Sequence, residues 1–130
     1  KLFRVQKKAT RVISGGGWNV HSAPLFKNKC ILTLRDINTH QIACFVYKAL
    51  HGLLPASFSN YFVTNNLFHD HLTRHCEDIH IFHCRTNIRL FCIKIFGAKI
   101  WNSIPLNIKA APSYIIFKKK FKSYLLQLYV

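Results

Sequence analysis

Three long stretches of the chain carry apolar residues at three- and four-residue steps, the spacing that lines one face of an α-helix. In the first, Leu2, Val5, Ala9, Val12 and Ile13 recur while Arg4, Lys7, Lys8 and Arg11 fall on the other side. This predicts a basic amphipathic helix, stopped by Ser14 and by Gly15 to Gly17. In the second, Thr33 and Asp36 have the spacing of a capping box, and the acid suits the positive end of a helix. Leu34, Ile37, Ile42, Phe45, Val46, Ala49, Leu50 and Leu53 then form the longest core-facing stripe, ended by Pro55. In the third, Ser113 to Tyr129, the residues Tyr114, Phe117, Phe121, Tyr124, Leu125 and Leu128 share a face. Lys118, Lys119 and Lys122 project from the opposite side and Lys120 flanks the stripe.

Shorter elements are expected between these. Trp18 to Pro24 reads as a loop, with Ala23-Pro24 opening a short helix through Leu25, Phe26 and Lys29. Ala56 to Phe62 predicts another short helix, and Thr64 to Cys76 a long polar loop rich in histidine. Ile79 to Phe82 and Arg89 to Phe96 carry alternating or β-branched residues, which predicts a small hairpin connected by Cys84 to Asn87. Gly97 to Ile104 is helical by content and closed by Pro105. The expected fold is mainly α, a small bundle of four to six helices around the Leu34 to Leu53 helix, with room for a minor β-hairpin. The whole chain, 1 to 130, is read as one domain.

Charge changes this picture most. Nineteen Lys and Arg stand against four acids, Asp36, Asp70, Glu77 and Asp78, for a net charge of +15. Such an excess repels itself unless a polyanion offsets it, and nucleic acid is the commonest such partner. Half the residues are hydrophobic, which excludes a disordered tail. The chain opens on Lys1 and holds no methionine, so it is expected to be a segment of a longer product. No secretory leader opens it, and the charge-free run Ala49 to His69 is broken by Pro55 and by Ser and Asn. Neither a membrane span nor a membrane partner is expected, and the setting is read as intracellular. Five scattered cysteines, Cys30, Cys44, Cys76, Cys84 and Cys92, make a poor disulfide framework and are read as reduced, mostly buried thiols.

Motifs in a fixed order add a resemblance. Val5 to Gly15 reads VQKKATRVISG, followed by His21-Ser22-Ala23-Pro24-Leu25-Phe26, Ile31 to Ile37, Phe45-Val46-Tyr47-Lys48 and Leu53-Leu54-Pro55. Phe68 to Arg74, Arg85-Thr86-Asn87, Gly97 to Pro105 (GAKIWNSIP) and Phe117 to Lys122 complete the series. Taken together, the chain resembles the region downstream of the polymerase domain in LINE-type (non-LTR, jockey-like) retrotransposon reverse transcriptases. The resemblance implies a C-terminal, non-catalytic piece of an RNA-directed DNA polymerase of a transposable element. It also implies a nuclear location and the upstream polymerase domain of the same polyprotein as a partner. The family's catalytic signature, an aromatic followed shortly by paired aspartates, is absent. Polymerase chemistry needs carboxylates clustered on two metal ions, which four scattered acids do not supply, so this piece is not expected to be an enzyme.

The candidate sites follow from charge and ring chemistry. Arg4, Lys7, Lys8 and Arg11, and then Lys118, Lys119, Lys120 and Lys122, are positioned to neutralise the phosphates of RNA or DNA without regard to base sequence; the bland alternative is a solvated helix face. Trp18, Trp101 and Tyr47 offer rings for unpaired bases, although Trp101, between Ile100 and Ile104, reads as core. Arg74 (with Thr73) and Arg85 (with Thr86 and Asn87) either hold a phosphate or brace loop carbonyls. His69, His71, His75, Cys76, His80, His83 and Cys84 form the densest set of ligand types. Their spacing matches no zinc finger or knuckle, so no metal or other cofactor is expected and structural histidines are the preferred reading. If zinc were bound, His71 with His75, or Cys76 with His80, have a spacing a helix would bring together.

Overall fold

The computed structural model describes residues 1–68 and 74–129. Among the described residues seven α-helices run in chain order: α1 Leu2–Ile13, α2 Ser22–Asn28, α3 Leu34–Leu50, α4 Asn87–Leu90, α5 Ile93–Ser103, α6 Leu106–Lys109 and α7 Tyr114–Gln127. Single 3-10 turns stand at Ala56–Phe58 and Asn65–Leu67. The chain is mainly helical, and among the described residues it has no strand, only one isolated antiparallel bridge between Thr64 and Ile79. The three long periodic stretches therefore became α1, α3 and α7. The segment expected as a helix over Ala56 to Phe62 shrinks to one 3-10 turn.

Contacts divide the chain into two compact units, one of residues 1–40 and 118–130, the other of residues 41–117. The chain passes from the first unit into the second along α3 and returns along α7.

In the first unit α1 packs against α2, and the face it uses is polar. The Gln6 amide donates to the Leu32 carbonyl at 2.9 Å and accepts the Leu34 N–H at 3.0 Å, while Thr10, one turn further on, is buried and donates to the Gln6 carbonyl. The predicted apolar stripe is left outside, with Leu2 at 76% and Val12 at 80% exposure and Val5 and Ile13 also exposed. A side-chain amide that satisfies both a donor and an acceptor of the segment entering α3 fixes the rotation of α1 more specifically than nondirectional apolar contact does. Half of the expected capping box forms: the Asp36 N–H donates to Thr33 Oγ1, but the Asp36 carboxylate accepts the Thr33 hydroxyl rather than the Thr33 N–H. Tyr129, just beyond α7, donates its hydroxyl to the same carboxylate and accepts the Thr33 N–H at 2.9 Å. Its ring meets Phe26 edge-on, and Phe121 of α7 stacks on the buried His40 ring.

In the second unit Tyr47 is the centre of the core. It is 2% exposed, stacks on Phe117 with ring centres 4.5 Å apart, lies beside Trp101 and Tyr114, and donates its hydroxyl to the Ala111 carbonyl at 2.9 Å. Full burial of such a ring stabilises the fold by about 1.5–3 kcal/mol. Gly97 lets α5 approach α3 closely, because a Cβ there would stand 3.1 Å from Val46 Cγ2 and 3.4 Å from the Phe62 ring. One turn along α5, Asn102 grips an extended segment: its amide oxygen accepts the Ile79 N–H and its NH2 donates to the Ile79 carbonyl, each at 2.9 Å.

That grip explains why the predicted hairpin is absent. Ile79's backbone groups, which would pair with a neighbouring strand, are taken by the Asn102 side chain. The supposed partner strand, Arg89 to Phe96, is helical in α4 and the start of α5. There Ile95, Ala98 and Trp101 meet the core at helical spacing, so tertiary burial overrides β-branched preference. The thiol expectation also needs correction: none of the five cysteines forms a disulfide, but only Cys44 is buried, and Cys30 and Cys92 are exposed.

Candidate nucleic-acid interface

The first unit collects both basic helices. It holds twelve of the nineteen Lys and Arg and one acid, Asp36, for a net +11, leaving +4 for the second unit. Asp36 cannot neutralise a surface cation readily, since its carboxylate accepts hydrogen bonds from Thr33 and Tyr129. Burial is the main cause, and the bond to Asp36 the second, of a Tyr129 hydroxyl pKa above its ordinary value.

On α7, Phe117, Phe121 and Leu125 are buried, and that registration leaves Lys118, Lys119, Lys120 and Lys122 all exposed. On α1, Arg4 and Lys8 are exposed. Lys7 is half-buried with its ammonium 4.5 Å from the centre of the Phe3 ring, and Arg11 donates Nε–H to the Val20 carbonyl at 2.9 Å. Lys1, Lys29 and Arg35 of the same unit are exposed as well; isolated cations outside a helical stripe gave no pattern to mark them. Among the described residues the ion pairs both involve Asp78, with His75 at 2.8 Å and Lys109 at 3.5 Å, so the cations of α1 and α7 have no acidic counter-ion there.

In the second unit three of the four lysines lie over rings, as Lys7 does in the first, while Lys99 is exposed. Lys48 lies over the Tyr114 ring, Lys94 over Tyr61 and Phe82, and Lys109 over Trp101. A cation held over a ring is partly satisfied within the fold. Arg74 and Arg85 belong to this unit and are exposed, Arg85 just ahead of α4. They are not brought together with the α1 and α7 cations in one unit, and Thr73 lies outside the described residues.

The ring candidates separate sharply. Tyr47 and Trp101 are core, at 2% and 6% exposure, and cannot meet a base, which corrects the expectation for Tyr47; Trp18 is 87% exposed. Of the metal candidates, His71 lies outside the described residues. His75 contacts Asp78, and His80 approaches Asn65 Oδ1 at 3.0 Å and stacks on Phe68. No group of three or more His, Cys, Asp or Glu suited to a metal exists among the described residues. A modest cleft of about 450 Å³ lies in the first unit at Phe3, Thr33, Leu34, Arg35 and Asp36, and another of about 340 Å³ lies in the second beside Asp78, Trp101 and Lys109. Asp36 Oδ2 accepts from Thr33 and Tyr129, and Asp78 accepts from Lys109 and contacts His75.

No described helix is long and apolar enough to cross a membrane. No family model, curated protein or solved structure matches the chain.

Proposed function

We propose that this chain is a non-catalytic C-terminal accessory region of a LINE-type reverse transcriptase, working in the nucleus beside the polymerase domain of its polyprotein, and that it holds RNA or DNA by its phosphates. The sequence motifs support the family, and one observation carries the binding: the exposed Lys118, Lys119, Lys120 and Lys122 of α7 share a +11 unit with Arg4 and Lys8 and have no acidic partner among the described residues. Cations in this state neutralise a phosphate backbone and release its counterions, which gives affinity without base specificity.

Filter binding to duplex DNA over a range of salt tests it. Affinity is expected to fall by about 0.9 log unit per log salt for each phosphate neutralised. Replacing the four α7 lysines by alanine should weaken binding and flatten that slope by a similar amount for each phosphate the variant no longer neutralises. Salt-independent affinity, or an unchanged slope in the variant, refutes the proposal.

A second reading is favoured by the open stripe of α1. Leu2, Val5, Val12 and Ile13 are solvent-exposed on a folded helix, as they would be if that face packs on the polymerase thumb and the chain makes no nucleic-acid contact. Under that reading Val5→Gln with Val12→Gln abolishes association with the polymerase domain, and the lysine variant changes nothing.

A further inference from the structure

The turn that follows α1 is built to present an indole. Gly15 N–H donates to Val12 O and Gly16 N–H to Arg11 O, both at 3.1 Å, which closes the helix. Val20 N–H then donates to Gly17 O at 3.1 Å, so Gly17 to Val20 is a hydrogen-bonded β-turn with Trp18 at its first corner. Arg11 fastens the far side of the turn to α1 through its bond from Nε to Val20 O at 2.9 Å. Trp18 is therefore 87% exposed, a level that only Ile88 equals among the large apolar side chains described, and it stands on a loop tied at three points. A backbone held in place in advance reduces what is lost in freedom when a flat ligand settles on the ring it carries.

Resting on the proposal that this unit holds a phosphate backbone, we infer that its preferred ligand is an unpaired strand, with a base stacked on Trp18 and flanking phosphates on cations of the same unit, Arg4 and Lys8 among them. In a duplex each base is already stacked on both faces, and the indole has no face to meet without unstacking one. In a single strand every base offers a π-face, and stacking is tolerant of sequence.

The two tryptophans make the test direct, because Trp101 is buried and Trp18 is open. The full chain is titrated with a DNA strand of about 16 nucleotides, with the duplex it forms with its complement, and with an RNA strand of the same sequence, following intrinsic fluorescence and affinity. Both strands should quench the long-wavelength emission of Trp18, and the duplex should not. Trp18→Ala should remove the quench and weaken the strands about tenfold or more, leave duplex affinity and its salt slope unchanged, and be partly rescued by Trp18→Phe. Salt-dependent binding that is equal for strand and duplex and indifferent to Trp18 overturns this inference while the phosphate proposal stands; no binding to any probe overturns both.

Discussion

Cys30 sits at φ 53°, the only described non-glycine residue with a positive φ, at a position where α1 and α3 both place glycine. All three helices close alike. The residue after the left-handed one sends its N–H to the carbonyl five back: Gly16 to Arg11, Ile31 to Phe26 and Leu53 to Lys48. Gly15 and Gly52 fit that geometry without strain, at φ 64° and 65°, whereas the Cys30 side chain crowds its own backbone. Cys30→Gly should therefore raise stability by about 0.5–1 kcal/mol, read as a higher urea midpoint, and Gly15→Ala should lower it by about 1 kcal/mol. A Cβ at Gly15 meets nothing within 4 Å, so backbone strain alone sets that loss. Tyr129 makes a prediction in pH. Its partly buried hydroxyl donates to Asp36, and its raised pKa means that the folded chain keeps the phenol proton longer than the unfolded chain does. The stabilisation is complete below the ordinary phenol value of 10.0 and is lost as pH rises through the folded value. Tyr129→Phe should cost about 1–2 kcal/mol at neutral pH and remove that alkaline decline from a pH series of denaturation midpoints.

Among the elements, the two basic helices and α3 were legible because a 3.6-residue apolar period and end signals are properties of a short stretch of chain. The Thr33 half of the capping box and the glycine stop after α1 held for the same reason. What the pattern did not hold was the direction of docking. α1 carries the cleanest stripe in the sequence yet packs through Gln6 and Thr10, since the groups that hold Gln6, Leu32 O and Leu34 N, lie more than twenty residues away. Asn102 repeats the device, taking Ile79 N and Ile79 O across a similar separation. Both side chains are ordinary amides in the sequence, and only the fold reveals them as clamps. Likewise Tyr47 lies off the predicted stripe of α3 and proves central because rings from Trp101, Tyr114 and Phe117 converge on it. Of the candidate binding residues, the lysines of α7 were legible from charge, while the division between open lysines and those lying over rings needed side-chain positions. Asn102→Ala should be the costlier amide loss, about 2–4 kcal/mol by urea titration, because it leaves the N–H and C=O of the buried Ile79 both unpaired. Asn102→Asp should do no better, since it sets an oxygen against the Ile79 carbonyl.

For the molecule as a whole, a charge of +15 keeps one copy away from the next. That repulsion matters because α1 shows Leu2, Val5, Val12 and Ile13 to solvent. A polyanion that titrates the charge away removes the barrier while leaving the stripe untouched. Mixed with inorganic polyphosphate, the chain should scatter light most strongly near charge equivalence, about 15 phosphates per copy, and clear again in excess. Val5→Gln with Val12→Gln should flatten the maximum without moving it. Under the proposed phosphate binding, an apolar stripe held apart by electrostatic repulsion would let stoichiometry set condensation, so that coating of a strand and coalescence of the coated strands would become two stages of one titration.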